Sequence, residues 1–321
     1  MKEELRIVYM GTPDFAVAPL KALLDSGKNI VGVITAPDKP AGRGKKIQSS
    51  AVKVFAEEKG LKILQPTNLK DPMFHEELKA LKANLQVVVA FRMLPEVVWN
   101  MPKYGTFNLH ASLLPQYRGA APINWAVING EKETGVTTFF LRHEIDTGDV
   151  IFQEKVEIAE EDNVGVVHDK LMNVGASLVV KTVDVIQNDD YTSVPQDHFD
   201  EITELKSAPK IFKDDCMINW DQPVRIIYDF IRGLSPYPTA FSKALEANNK
   251  EISIKIFNSR ILNSEVVEAP GTIITDDKSY LRIACQKGVL EILELQMPGK
   301  KRMKIEDFLR GYSMKNLCKM Y

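Results

Sequence analysis

Little in this 321-residue chain suits a metal centre or a disulfide framework. Its three cysteines, Cys216, Cys285 and Cys318, are widely spaced, odd in number and free of any CxxC pair. The sequence therefore predicts reduced thiols in a cytoplasmic setting, and no metal site. No apolar run approaches the roughly 20 residues that a membrane-spanning helix needs. The opening MKEELRIVYMG lacks the basic stretch, apolar run and small-residue cleavage site of a secretory leader. No membrane partner is expected. Glycine is scarce where a nucleotide site would need it. The turn Gly11-Thr12-Pro13-Asp14-Phe15-Ala16 has one glycine where a dinucleotide fingerprint needs three, and no Walker lysine follows, which excludes NAD and ATP. Nothing demands more than one copy, so a monomer is expected.

Net charge is also small, at −2, which excludes a uniformly basic nucleic-acid binder. The charge is unevenly spread, however. Residues 206–321 carry 19 Lys+Arg against 14 Asp+Glu, a balance of +5, whereas the preceding residues sum to −7. That asymmetry suits a small-molecule domain joined to one that faces a polyanion, although chance clustering produces it as well.

The length allows two domains. Apolar runs at 5–10, 31–35, 61–64 and 85–91 alternate with helical spacing at 15–24, 50–59 and 72–81. The run at 85–91, LQVVVAF, is apolar at every position but Gln86, as a parallel strand buried on both faces should be. Strand–helix alternation predicts an α/β, Rossmann-like, doubly wound and mainly parallel sheet. Ligands bind such sheets beyond the carboxyl ends of the strands. Further strands are expected at 134–141 and 150–158, then a long helix at 164–186. A polar stretch with two prolines reads as a linker. Beyond it come a helix at 224–231 and short β-like runs at 240–245, 252–257, 271–275, 281–284 and 289–295, which suggest a small C-terminal OB-like β-barrel. The expected domains are residues 1–188 and 210–321, joined by a linker at 189–209.

Chemistry-bearing residues are densest in GTFNLHASLLPQYRGAAP, residues 105–122. If 106–110 is a strand, Asn108 and His110 share one face while Phe107 and Leu109 point into the core. Such a pair suits an active site, and equally a polar strand end meeting solvent. In Ile145-Asp146-Thr147-Gly148-Asp149-Val150, Asp146 is a candidate general base or charge partner, or a turn aspartate bonded to its own backbone. A single Asp-Thr-Gly does not make an aspartic protease, which needs two carboxylates sharing a proton. His75, His168 and His198 lie in charged or polar surroundings and read as structural or solvated, and His143 is unassigned.

Asn108-x-His110, Ser112-Leu113-Leu114-Pro115 and Asp146-Thr147-Gly148-Asp149 together resemble the signature of the folate-dependent formyltransferases. Arg118-Gly119-Ala120-Ala121-Pro122-Ile123 and Met10-Gly11-Thr12-Pro13-Asp14-Phe15-Ala16 narrow the resemblance to the branch acting on methionyl-tRNA. It covers essentially the whole chain. It implies transfer of a formyl group from 10-formyltetrahydrofolate to the α-amino group of initiator methionyl-tRNA, for translation initiation. Asn108, His110 and Asp146 would be catalytic. The first two would donate to a developing oxyanion, and the third would stabilise protonated His110 and accept the amine's proton. Phe91, Arg92, Met93 and Leu94, with Ser112, Leu113, Leu114 and Pro115, would form the folate pocket.

The loop DKPAGRGKKIQSS, residues 38–50, is strongly basic. By resemblance Lys39, Arg43, Lys45 and Lys46 would grip the tRNA acceptor end, with Arg43 leading. A second basic cluster, Lys300, Lys301, Arg302 and Lys304, would follow the phosphate backbone from the barrel. The alternative is a nucleotide-sugar formyltransferase using the same donor. The basic loop and the basic C-terminal part argue against it, because a sugar nucleotide needs neither.

Overall fold

A computed structural model describes residues 3–41, 46–198, 204–246, 250–262, 267–314 and 317–321; at residues 41, 46, 246 and 318 it describes the backbone alone. The chain forms two compact units. One comprises residues 1–119, 134–156 and 168–207, and the other residues 120–133, 157–167 and 208–321.

In the first unit the strand–helix alternation closes into an open sheet. Its elements are β1 (Ile7–Gly11), α1 (Val17–Asp25), β2 (Ile30–Ile34), β3 (Lys39–Ala41), β4 (Lys46–Gln48), α2 (Ala51–Glu58), β5 (Ile63–Leu64), α3 (Pro72–Ala80), β6 (Leu85–Val89), α4 (Glu96–Trp99), β7 (Thr106–His110) and the two-residue β8 (Arg118–Gly119). After α5 (Pro122–Ile128) follow β9 (Glu133–Phe140), β10 (Val150–Glu157), the long α6 (Val164–Asn188) and β11 (Ser207–Ala208). The sheet order is β10-β9-β7-β6-β1-β2-β5. Strands β5, β2, β1, β6 and β7 run parallel, and β9 lies antiparallel to β7.

Local chemistry explains the boundaries. Ser50 caps α2 by accepting from Lys53 N at 3.0 Å. Asp71 caps α3 by accepting from Met73 N at 2.9 Å, with Pro72 at a position where its missing N–H costs nothing. The predicted strand 85–91 is cut at Val89, because Ala90 turns into the left-handed region at φ 45°. Within the basic loop expected at 38–50, Lys39 pairs with Gln48 and Pro40 with Ile47 in a short antiparallel ladder. Arg43 and Lys45 lie outside the described residues, and of Lys46 only the backbone is described.

In the second unit α7 (Val224–Leu234) is followed by β12 (Ala240–Glu246), β13 (Glu251–Leu262), β14 (Ile273–Thr275), β15 (Leu281–Cys285), β16 (Gly288–Gln296), β17 (Met303–Lys304), α8 (Ile305–Leu309) and β18 (Leu317–Met320). The order β14-β15-β16-β13-β12-β18 is antiparallel in its described pairings. Met320 N donates to Gly271 O at 3.0 Å while Gly271 N donates to Ala284 O at 2.9 Å, which draws the two ends together into a nearly closed barrel. The expected OB-like barrel is thus present. Alternation along β13 sends Ile252, Ile254 and Ile256 inward, onto Leu281, Ile283, Leu290 and Ile292. Among the described residues no helix is long and apolar enough to cross a membrane.

Candidate active site

The chain winds β1, β2 and β5 outward in one direction and then returns to place β6 on the other side of β1. This reversal is the switch point at which open α/β sheets bind ligands. The loop Ala90–Pro95 leaves β6 there, and β7 delivers its own carboxyl end one strand further on. Phe107 is fully buried and Leu109 nearly so, which fixes the facing of β7 and sends Asn108 and His110 to the opposite side. The Asn108 side chain is half-buried and has no hydrogen-bond partner among the described residues.

His110 is 6% exposed. Its Nε2 lies 2.9 Å from the carbonyl oxygen of Tyr117, an atom that only accepts, so Nε2 carries the hydrogen and donates. Its Nδ1 faces Asp146 Oδ2 at 3.8 Å, so Nδ1 is the nitrogen turned toward the carboxylate. Asp146 Oδ2 accepts from Gly119 N at 3.0 Å. Both Tyr117 and Asp146 adopt left-handed backbone, at φ 59° and 56°. For residues other than glycine this conformation costs of order 1–3 kcal/mol and is retained where the surroundings over-determine it. At Tyr117 it aims a main-chain carbonyl at the imidazole, and at Asp146 it aims a carboxylate at the same ring. Gly148 completes the turn: a Cβ there would lie 1.6 Å from Phe140 O, so no larger residue fits without displacing the backbone.

Sequence reasoning missed Gln196. The polar segment 189–209 reads as a linker, yet Gln196 is 5% exposed and makes four hydrogen bonds. Val150 and Val194 exchange backbone bonds at 2.8 Å in each direction, an antiparallel bridge that sets Gln196 opposite Gly148. Only that non-local register reveals the residue. Tyr117 was likewise unmarked, since a carbonyl acceptor leaves no sequence signal.

The residues expected to face folate divide into two groups. Leu94, Ser112 and Leu114 are 8%, 0% and 1% exposed and are committed to the interior. Ser112 donates its hydroxyl to Gln116 O at 2.6 Å, and its carbonyl accepts from Thr137 Oγ1 at 2.6 Å. Leu114 N donates to Thr137 Oγ1 at 3.1 Å, and Leu114 O accepts from Gln153 Nε2 at 2.6 Å. These residues and buried Pro115 set the wall rather than reach from it. Phe91 and Leu113 are half-exposed and Met93 is exposed. Arg92 stacks on Phe91 at 5.6 Å and donates to Thr67 O at 3.0 Å and to Pro66 O, which fastens the loop.

Of the residues expected to hold tRNA, Lys39 lies on β3, and Lys300, Lys301 and Lys304 are exposed with no ion pair among the described residues. Arg302 differs. It pairs with Glu294 through Nε at 2.9 Å and through Nη2, and its guanidinium covers Phe257 at 4.5 Å. Its charge is already paired where it stands. Among the described residues no group of three or more His, Cys, Asp or Glu is arranged to hold a metal ion.

The chain matches the model of the formyl transferase family over residues 5–196 and that of the formyl transferase C-terminal domain over residues 210–313. It is 59% identical over 319 residues to the methionyl-tRNA formyltransferase of Bacteroides fragilis, covering 99% of this chain and 98% of that one. Among solved structures, HypX from Aquifex aeolicus superposes with a TM-score of 0.64 at 18% identity, over 97% of this chain but only 49% of that one. The N-formyltransferase from Helicobacter canadensis, in complex with folinic acid and dTDP-3-aminofucose, also gives a TM-score of 0.64, at 20% identity over 91% of this chain and 99% of that one. The last two likenesses establish the fold alone. The sheet, the barrel, the two family models and the full-length relative agree, and the chain belongs to the methionyl-tRNA formyltransferase family.

Proposed function

We propose that this chain transfers the formyl group of 10-formyltetrahydrofolate to the α-amino group of initiator methionyl-tRNA, with Asn108, His110 and Asp146 as its catalytic residues. The observation that carries the reading is the clustering of a buried imidazole and a carboxylate, Nδ1 to Oδ2 3.8 Å, beside an amide with no protein partner. Each does what formyl transfer requires. The neutral amine attacks the formyl carbon, a C–N bond forms, and negative charge moves to the formyl oxygen. Asn108 supplies an N–H to that oxygen, and protonated His110 supplies the hydrogen on Nδ1. A preorganised donor of this kind is worth about a hundred- to a thousand-fold in rate. Asp146 stabilises the imidazolium and accepts the ammonium proton, directly or through water. The intermediate collapses with cleavage of the bond to the folate nitrogen, which takes up a proton.

Folate fits the loop after β6 through backbone groups, with Phe91, Met93 and Leu113 offering apolar contact, and Arg92 holding the loop's shape. Quantifying N-formylmethionine released from tRNA after incubation with 10-formyltetrahydrofolate tests the reaction. Absence of that product, with the donor and charged tRNA both intact at the end, sinks the proposal.

The tRNA is held by the basic loop and by Lys300, Lys301 and Lys304, with Arg302 contributing shape rather than charge. Because phosphate contacts release counterions, log KM for tRNA should rise with log salt. Changing the three exposed lysines to alanine should flatten that slope by up to about 2–3. Arg302→Ala should leave the slope nearly unchanged. An unaltered slope in the triple variant would remove the barrel cluster from the tRNA footprint.

A further inference from the structure

We infer that Gln196 and Arg118 form a positioning device that aims the Asp146 carboxylate. The inference rests on the proposed role of Asp146. Gln196 Nε2 donates to Asp146 O and to Gly148 O, each at 2.8 Å. Its Oε1 accepts from Arg118 Nε at 3.0 Å and from Arg118 Nη2 at 2.6 Å. Arginine only donates and a peptide carbonyl only accepts, so the amide has a single allowed orientation and both its ends are filled. Arg118 is bonded in the chain to Gly119, whose N–H holds Asp146 Oδ2 at 3.0 Å. The contacts therefore close a circuit. Asp146 is gripped through its main chain by Gln196 and through its side chain by Gly119, and Arg118 joins the two grips.

The circuit has a task that packing alone does not meet. Asp146 stands at φ 56°, where a non-glycine residue stays only if its surroundings hold it. Its carboxylate must also stay aimed at His110 Nδ1, which it already approaches to 3.8 Å. Release of the Asp146 and Gly148 carbonyls would let the turn relax and rotate the carboxylate off the ring. Gln196 itself touches neither His110 nor Asn108 in any described hydrogen bond, so it acts through Asp146 as a positioning residue. Its place within a stretch that reads as a linker hides this role from sequence.

The test compares the full-length wild type with Gln196→Met, Gln196→Glu, Arg118→Met and the double variant Arg118→Met/Gln196→Met. Gln196→Glu keeps the size and the Arg118 pairing but removes both donations, so it serves if the methionine variant folds poorly. The expected result is a fall in kcat on the order of a hundred-fold, as for a misplaced catalytic group, with KM for both substrates nearly unchanged. The double variant should lose no more than either single, because the residues act as one unit. The Gly119 amide, followed by hydrogen exchange, should lose protection in every variant. Near-wild-type kcat, multiplicative losses in the double variant, or a Gly119 amide as protected as in the wild type would each overturn the inference. The exchange readout needs no turnover, so it separates failure of this inference from failure of the proposed reaction.

Discussion

Asp146→Asn is expected to lower the single-turnover rate of formyl transfer by about a hundred- to ten-thousand-fold, the range for losing a positioned proton acceptor. The substitution isolates charge. Asparagine tolerates the left-handed backbone that Asp146 adopts at φ 56°. Its side-chain oxygen can still accept from Gly119 N, as Asp146 Oδ2 does at 3.0 Å. What disappears is the negative group facing His110 Nδ1 at 3.8 Å and the basic oxygen that takes the amine's proton. Binding of folate and tRNA should therefore persist while the chemical step fails. A variant that turns over within about ten-fold of the wild type would place the essential base elsewhere.

Asp229→Ala is expected to destabilise the second unit by about 3–5 kcal/mol, the cost of breaking a buried ion pair by removing one partner. Asp229 and Arg232 are each only 6% exposed at the side chain. Arg232 Nε donates to Asp229 Oδ1 at 2.6 Å and Arg225 Nε to Oδ2 at 2.7 Å. Arg225 also pairs with Glu160, and Arg232 Nη1 donates to Asp162 O at 2.8 Å. Alanine would leave the Arg232 guanidinium buried without the carboxylate that Nε donates to, facing main-chain carbonyls and the Tyr228 ring at 5.8 Å. The network fastens α7 to the segment at residues 157–167, so the loss should fall on the whole unit rather than on one helix end. Urea unfolding followed by the Trp220 signal, a residue 3% exposed in that unit, measures it. A change below about 1 kcal/mol, within the range of exposed pairs, would mean the pairing contributes no more than a surface bridge.

These two cases mark what the sequence makes legible. The β6 run, apolar at every position but Gln86, announces a strand buried on both faces. The alternation in Thr106–His110 is enough to put Asn108 and His110 on one face. Both are local patterns with a fixed period. Gln196 has no such pattern, since its partners lie 48–78 residues away, and the Val150–Val194 bridge sets it opposite Gly148. Arg302 reads as part of a basic cluster, but it sits within reach of Glu294 because β17 pairs with β16. The Asp229 network is equally hidden. Residues 120–133 and 157–167 join a unit otherwise built from residue 208 onward, and α5 packs on α7 although most of the first unit's later chain lies between them in sequence.

One measurement bears most directly on the central claim. Wild-type protein would be supplied with 10-formyltetrahydrofolate and, in the same reaction, with charged initiator methionyl-tRNA, charged elongator methionyl-tRNA and an amino nucleotide sugar. The formylated products would then be separated and quantified. The expected result is formyl transfer confined to the methionine of initiator tRNA. Formylation of the sugar with the tRNA left untouched would keep the chemistry of Asn108, His110 and Asp146 and contradict the acceptor assigned here.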